Sequence, residues 1–351
     1  MSDVAVKAKR RWIILPWAAV IAAVVAWSAW WMIASHQIVA RMDAQAQTLR
    51  TAGWSVVWQN RSVSGYPFRF FIQMDQVHVS DPAGWGLAAP KLDAETSAIT
   101  PSVIVFVAKN GLVLSRPGKP GIAIMGDVLR MSLGGLKSHP PRISVEGINL
   151  KLSPSVGERI TFSAISRFEA HLRLEAGDTA KVFFRIDQAT PSTGTLLSRL
   201  AETKPVTVDV EGAVTNASQL NGGAWNGLMS RWGEAGGQLR IEQGGISLGN
   251  GALLSLKAST LSVDEQGFLK GSLSLHATQV DDAMMALSDI SVLPQQTASV
   301  ASGMAAGQSL LAAIGGIKTT LHFHDAQAWL GPVALGDAPR IYRVAEAPAA
   351  Q

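Results

Sequence analysis

His322-Phe323-His324-Asp325 is the one stretch of the chain whose residue types and spacing suit a divalent cation. Alternate residues of a strand share a face, so His322 and His324 would present two imidazoles to one ion, with Asp325 beside them. Catalytic zinc takes three protein ligands and structural zinc four. No third ligand is visible here, and histidines on a polar strand face need no ion. The reading is no metal, with His322, His324 and Asp325 the only candidates.

Other chemistry is excluded more simply. No cysteine occurs, which removes disulfides, thiolate nucleophiles and cysteine-ligated metals together. Gly111, Gly118 and Lys119 lack P-loop spacing, and Pro120 stands where the Mg²⁺-binding hydroxyl belongs. The glycine pairs at 222–223, 236–237 and 244–245 form no dinucleotide fingerprint, and no G-x-S-x-G elbow is present. Asp281-Asp282 suits a helix N-terminus, where carboxylates favour the dipole, and Asp264-Glu265 suits a turn. We therefore expect no catalytic residue and no cofactor.

One motif remains, Gly65-Tyr66-Pro67-Phe68-Arg69-Phe70 within SVSGYPFRFFIQ. Pro67 lacks an N–H and fixes φ, which suits the first position of a strand. Gly65 permits a tight backbone just before it. Phe68, Phe70, Ile72 and Met74 would then face one way, and Arg69, Gln73 and Asp75 the other. The expected role is structural, with ligand contact as the alternative. Arg69 has the least folding reason, and an ion-pair partner or a lipid phosphate would employ it.

The elements that must position these residues begin with an uncharged run, Trp12–Ile33. Its twenty-two residues would rise roughly 33 Å as a helix, about the hydrocarbon thickness of a bilayer. Trp12 and Trp17 at one end and Trp27, Trp30 and Trp31 at the other resemble two aromatic belts. Lys7, Lys9, Arg10 and Arg11 precede the run, so the positive-inside rule puts the N-terminus in the cytoplasm. A cleaved signal peptide shares the basic start, but its apolar core is about 7–15 residues. We expect a basic tail at 1–11, a transmembrane helix at 12–34 and a helical stalk at 35–50. A β-rich domain at 51–343, outside the cytoplasm, and a tail at 344–351 complete the organisation. Net charge is +4, nearly all of it in the first eleven residues, so no nucleic-acid partner is implied.

Beyond Gly53 the hydrophobic period changes to that of strands, punctuated by Gly, Pro, Asn and Asp. Strands read over 54–59, 67–75, 103–108, 111–115, 121–125, 127–133, 142–152, 160–175 and 181–187. They resume over 238–280, where Asp264–Gly267 turns a hairpin, and after 316. Helical segments fall near 190–202, 224–232 and 281–316. No helix of crossover length separates the strands, which predicts a mainly β fold with one long, curved antiparallel sheet and a few packed helices.

Gly65–Phe70, Trp232-Gly233-Glu234-Ala235-Gly236-Gly237 and Leu330-Gly331-Pro332 carry a resemblance over nearly the whole chain. The sequence resembles a domain-of-unknown-function family of membrane-anchored envelope proteins of alphaproteobacteria. The hairpin SVDEQGFLKGSLSL is similar, more narrowly, to those of AsmA-like envelope proteins. That similarity implies a β-sheet groove that handles lipid between membranes. The combined expectation is a single-pass protein of the bacterial inner membrane with a periplasmic, non-enzymatic domain that binds or guides an apolar ligand such as a lipid. A scaffold for another envelope protein is the alternative, and an unrecognised envelope enzyme the second. A reporter enzyme active only outside the cytoplasm, fused after Gln351, should work, with Trp12–Ile33 retained in the mature chain. A mature N-terminus near Ser35 would instead make the run a cleaved signal.

Overall fold

The computed structural model describes residues 5–136, 138, 140–155, 159–277 and 317–343. The helix expected over 281–316 and the tail at 344–351 lie outside the described residues. One long helix, α1 (Ala5–Thr51), precedes eighteen strands of a single antiparallel sheet. The first eight are β1 (Ser55–Val57), β2 (Asn60–Ser64), β3 (Arg69–Ser80), β4 (Gly86–Ser97), β5 (Val103–Ala108), β6 (Leu112–Arg116), β7 (Lys119–Met125) and β8 (Val128–Gly134). Then come β9 (Arg142–Pro154), β10 (Phe162–Leu174), β11 (Thr179–Pro191) and a short helix, α2 (Leu196–Ala201). β12 (Val206–Thr215), α3 (Trp225–Glu234), β13 (Leu239–Leu248), β14 (Gly251–Val263) and β15 (Leu269–Ala277) follow. β16 (Ile317–His324), β17 (Gln327–Leu330) and β18 (Val333–Asp337) close the sheet.

The outer half of α1 lies along β3. Ile38, Met42 and Ala46 recur at helical spacing, which puts them on one stripe. Ile38 and Met42 pack against Ile72, Met74, Val77 and Ala94. Arg61 of β2 pins the same helix through a two-pronged ion pair with Asp43, at 2.7 and 2.9 Å. The guanidinium holds the Asp43 carboxyl below the usual carboxylate range by hydrogen bonding to it. Arg50 and Arg61 both approach the ring of Trp58, at 5.6 and 5.4 Å from its centre. The helix stops at Gly53, whose φ of +85° no residue with a side chain adopts readily.

Between β4 and β9 the sheet divides. The first part of β4 (Gly86–Ala88) pairs with β6, and the later part (Leu92–Thr96) with β5. β7, paired with β6, and β8, paired with β5, then rejoin the two branches on β9. Pro90 stands at this seam, between the two ladders and facing Gln76, a position at which no bond to either neighbour is drawn from its missing N–H. From β9 to β18 each strand pairs with the next.

Adjacent strands of a sheet rotate by roughly 20–25°, so the seven steps from β3 to β12 through β6 and β7 accumulate well over 100°. The twist, with the curl that accompanies it, brings the connection after β12 back to the turn after β3. There the buried Asp81 carboxylate accepts hydrogen bonds from the amides of Trp85 (2.8 Å) and Trp225 (3.2 Å). Trp225 opens α3, where a carboxylate suits the free N–H groups. Its indole N–H donates to Ile341 O at 2.7 Å. The larger core fills the interior behind these contacts, from Leu150 and Phe162 through Leu254 and Leu275 to Leu321, Phe323 and Leu335.

The local readings of the sequence need five corrections. The helix expected over 190–202 is only Leu196–Ala201, because Thr190 and Pro191 finish β11 and Gly194 turns the chain at φ +85°. The helix expected over 224–232 runs from Trp225 to Glu234. Three strands, β2, β4 and β12, occupy stretches to which the sequence reading assigned none. β4 is disguised by Pro90 and by its alanines. β12 carries a clear alternation of Val206, Val208 and Val210 that should have marked it. Asp81→Ala leaves the amides of Trp85 and Trp225 without their charged acceptor, a loss of about 1.5–3 kcal/mol. It should appear as a lower denaturation midpoint of the full chain in detergent; an unchanged midpoint would show that closure does not rest on Asp81.

Candidate functional site

The GYPFRF motif is the socket of the long helix. Gly65 has φ +99°, and a Cβ there would lie 2.8 Å from the Arg69 carbonyl oxygen, so the turn requires glycine. Arg69 N donates to Gly65 O at 3.0 Å and closes the loop. The turn thereby aims its own carbonyls at α1. Pro67 O accepts from the Trp27 indole at 3.0 Å, and Arg69 O from that of Trp31 at 3.2 Å. Tyr66 OH and Ser28 Oγ share a hydrogen bond of 2.7 Å. Phe70, 3% exposed, stacks on Trp31 with ring centres 5.4 Å apart, and Tyr66 meets the same ring edge-on at 5.6 Å.

Two expectations about this motif change. The strand begins at Arg69, so Pro67 and Phe68 belong to the turn. Phe68 therefore does not join Phe70, Ile72 and Met74 on the buried face; it is 67% exposed. Arg69 is employed in an ion pair with Glu95 at 2.8 Å, with both side chains well exposed.

The histidine cluster resolves into a hairpin. His322 and His324 do share the exposed face of β16. Asp325 and Ala326 form the two-residue turn to β17, with φ of +52° and +58°. His324 Nδ1 lies 2.9 Å from Asp325 Oδ2, and its ring stacks on Trp329 at 5.3 Å between centres. Among the described residues no group of three His, Asp or Glu side chains is placed to hold a metal.

A different site emerges at the ends of β9, β10 and β11. A shallow cavity of about 340 Å³ is lined there by Ile143, Leu172 and Val182 together with Arg142, Arg173, Lys181 and one carboxylate, Glu211. Register explains the composition. Ser144, His171, Phe183 and Glu211 stand in one row across four strands. Ser144 Oγ and His171 Nδ1 are 2.6 Å apart, and the imidazole stacks on Phe183 at 5.8 Å. Two residues nearer the strand ends, Arg173 and Lys181 lie directly opposite each other. Like charges in that relation repel. Arg142 is next to Ile143, the partner of Leu172, and Arg240 pairs with Ala213, the partner of Lys181, so both extend the basic row. Arg173 has Glu175 at 3.2 Å. Among the described residues Arg142, Lys181 and Arg240 form no ion pair. Sequence reasoning missed this row because its members are scattered over a hundred residues, and only register assembles them.

Residues 31–339 match a family described as an uncharacterized protein conserved in bacteria (DUF2125), and the chain belongs to it. The match begins at Trp31, inside the socket. No curated protein and no solved structure matches the chain. Phe70→Ala should lower stability by about 3–5 kcal/mol, because it empties the space between β3 and the tryptophans. Arg69→Ala should change it by less than about 1 kcal/mol, the worth of an exposed ion pair. Thermal melts of the full chain in detergent separate the two, and equal losses would contradict this division of labour.

Proposed function

We propose that the protein is a non-enzymatic anchor-and-sheet protein that binds an anionic lipid at the basic cavity of β9–β11. The carrying observation is the juxtaposition of Ile143, Leu172 and Val182 with Arg142, Arg173 and Lys181 around one opening. A phosphate would relieve the repulsion between Arg173 and Lys181, and an acyl or glycerol segment would cover the apolar side chains. The likeness of the 262–275 hairpin to AsmA-like envelope proteins points the same way.

The same reading places Trp12–Ile33 across the bacterial inner membrane with the sheet on the periplasmic side. Its support is a helix long and apolar enough to cross a bilayer. Leu15, Trp17, Val20, Ile21, Val24 and Val25 on it are all more than half exposed. The rival, a scaffold that recruits a partner by adding strands, has less support. The sheet edges described are short, with three residues in β1 and five each in β2 and β18, which blunts edge pairing.

The test compares phospholipid retained by the parent and by Arg142→Glu/Lys181→Glu, both purified as full chains in one detergent and read by mass spectrometry. Lipid held around the helix is common to both, so the difference reports the cavity. Anionic phospholipid should fall by about tenfold, corresponding to about 1.4 kcal/mol. Equal retention by the two proteins would defeat the lipid reading.

A further inference from the structure

A length mismatch in α1 bears on where the sheet sits. Crossing a hydrocarbon core of about 30 Å takes about twenty helical residues. Counted from Trp12, the first residue after the basic tail, that length ends near Trp31. The socket, however, engages the helix already at Trp27 and Trp31. Only about 22 Å of helix separates Trp12 from Trp27. If Trp12–Ile33 crosses the bilayer, the socket lies within the boundary layer of lipid and cannot stand clear of it.

The sheet end that carries the socket is apolar where it has no partner. Phe68 is 67% exposed, Ile99 66%, Tyr66 50%, Leu136 45% and Val103 43%. Register puts these residues at one end of four strands. Phe68 O accepts from Ala98 N, Arg69 pairs with Ser97, Thr96 with Ile104, and Val103 with Gly134. Scattered apolar residues on a surface need no explanation, but a contiguous set at one end does.

We infer that this end of the sheet, led by Phe68 and Ile99, is seated in the same bilayer that its own helix crosses. The inference rests on the membrane-spanning reading of α1. The occupant follows from continuity: the patch adjoins the helix at the level where tryptophans meet headgroups. The long helix then does more than tether the sheet. Socket and rim together fix its orientation, and the basic cavity lies four strand steps away, roughly 19 Å along the same rim.

The absence of cysteine allows single labels. Full-length Phe68→Cys, Ile99→Cys, Val20→Cys and Gly118→Cys variants would each carry an environment-sensitive fluorophore in vesicles of phosphatidylethanolamine and phosphatidylglycerol. Val20 reports the helix, and Gly118, in a turn with open space around it, reports the far end of the sheet. The labels at 68 and 99 should shift to the blue and be quenched by lipids bearing a nitroxide near the headgroup, that at 20 by lipids bearing the nitroxide on the acyl chain, and that at 118 by neither. Quenching at 20 without quenching at 68 or 99 would overturn the inference and leave the anchor standing. No quenching even at 20 would overturn the anchor and the inference with it.

Discussion

Two hydrogen bonds from tryptophan indoles to backbone carbonyls fix how the helix and the sheet meet. Trp27 and Trp31 are four residues apart, so their donors lie on one helix face about 6 Å apart along the axis. Pro67 O in the turn and Arg69 O at the first residue of β3 accept these bonds, and together the two bonds lay the helix along β3. From there the stripe continues: Ile38 and Met42 fall on the cluster around Ile72, Met74 and Val77. Because the acceptors are backbone, Phe68 is free to be exposed and Arg69 to pair with Glu95. What the motif must supply is a turn shape, and Gly65 supplies it.

The rest of the sheet follows from twist. A flat meander of this many strands would leave the turn after β3 far from the connection after β12. Rotation at every step brings them together at Asp81, and the interior so enclosed is filled by side chains from strands as distant in sequence as β9 and β18. The seam at Pro90 is compatible with this. A strand that changes partner along its length has a position between ladders, and a residue without an N–H is tolerated there. Gly111, in the turn between β5 and β6, shows how tightly the branches are held: a Cβ would lie 2.6 Å from the carbonyl of Ile124.

Much of this was legible in the sequence. Period-two alternation and turn residues gave the class, the antiparallel order and most strands, and the uncharged run gave the long helix. The hairpin at Asp264–Gly267 was readable because its turn chemistry is local. What failed was information that depends on partners. Pro90 argues against a strand unless the seam is known. Phe68 reads as the first buried aromatic of an alternation that in fact starts at Phe70. The socket's other half, Trp27 and Trp31, was read as an aromatic belt, and nothing in the spacing joined it to residues forty positions later. The basic row is the extreme case, since Arg142, Arg173, Lys181 and Arg240 are unremarkable as single exposed cations until the ladder aligns them.

That row also explains why an amphiphilic opening forms where it does. In the middle of a sheet the backbone separates the two faces, so Ile143 and Arg142 or Leu172 and Arg173, neighbours in sequence, point to different environments. At a strand end the separation lapses, because neighbouring residues of opposite facing both reach the rim. The three cations of the cavity share their face with Ser144, His171, Phe183 and Glu211, and Ile143, Leu172 and Val182 alternate with them along the strands. The arrangement needs no special residue, only strands that end together with cations on the outer face and branched aliphatics on the inner. It arises at the end where β9, β10 and β11 are joined through β8 and β5 to the socket strands, so the cavity and the socket of the long helix lie on one rim of the sheet.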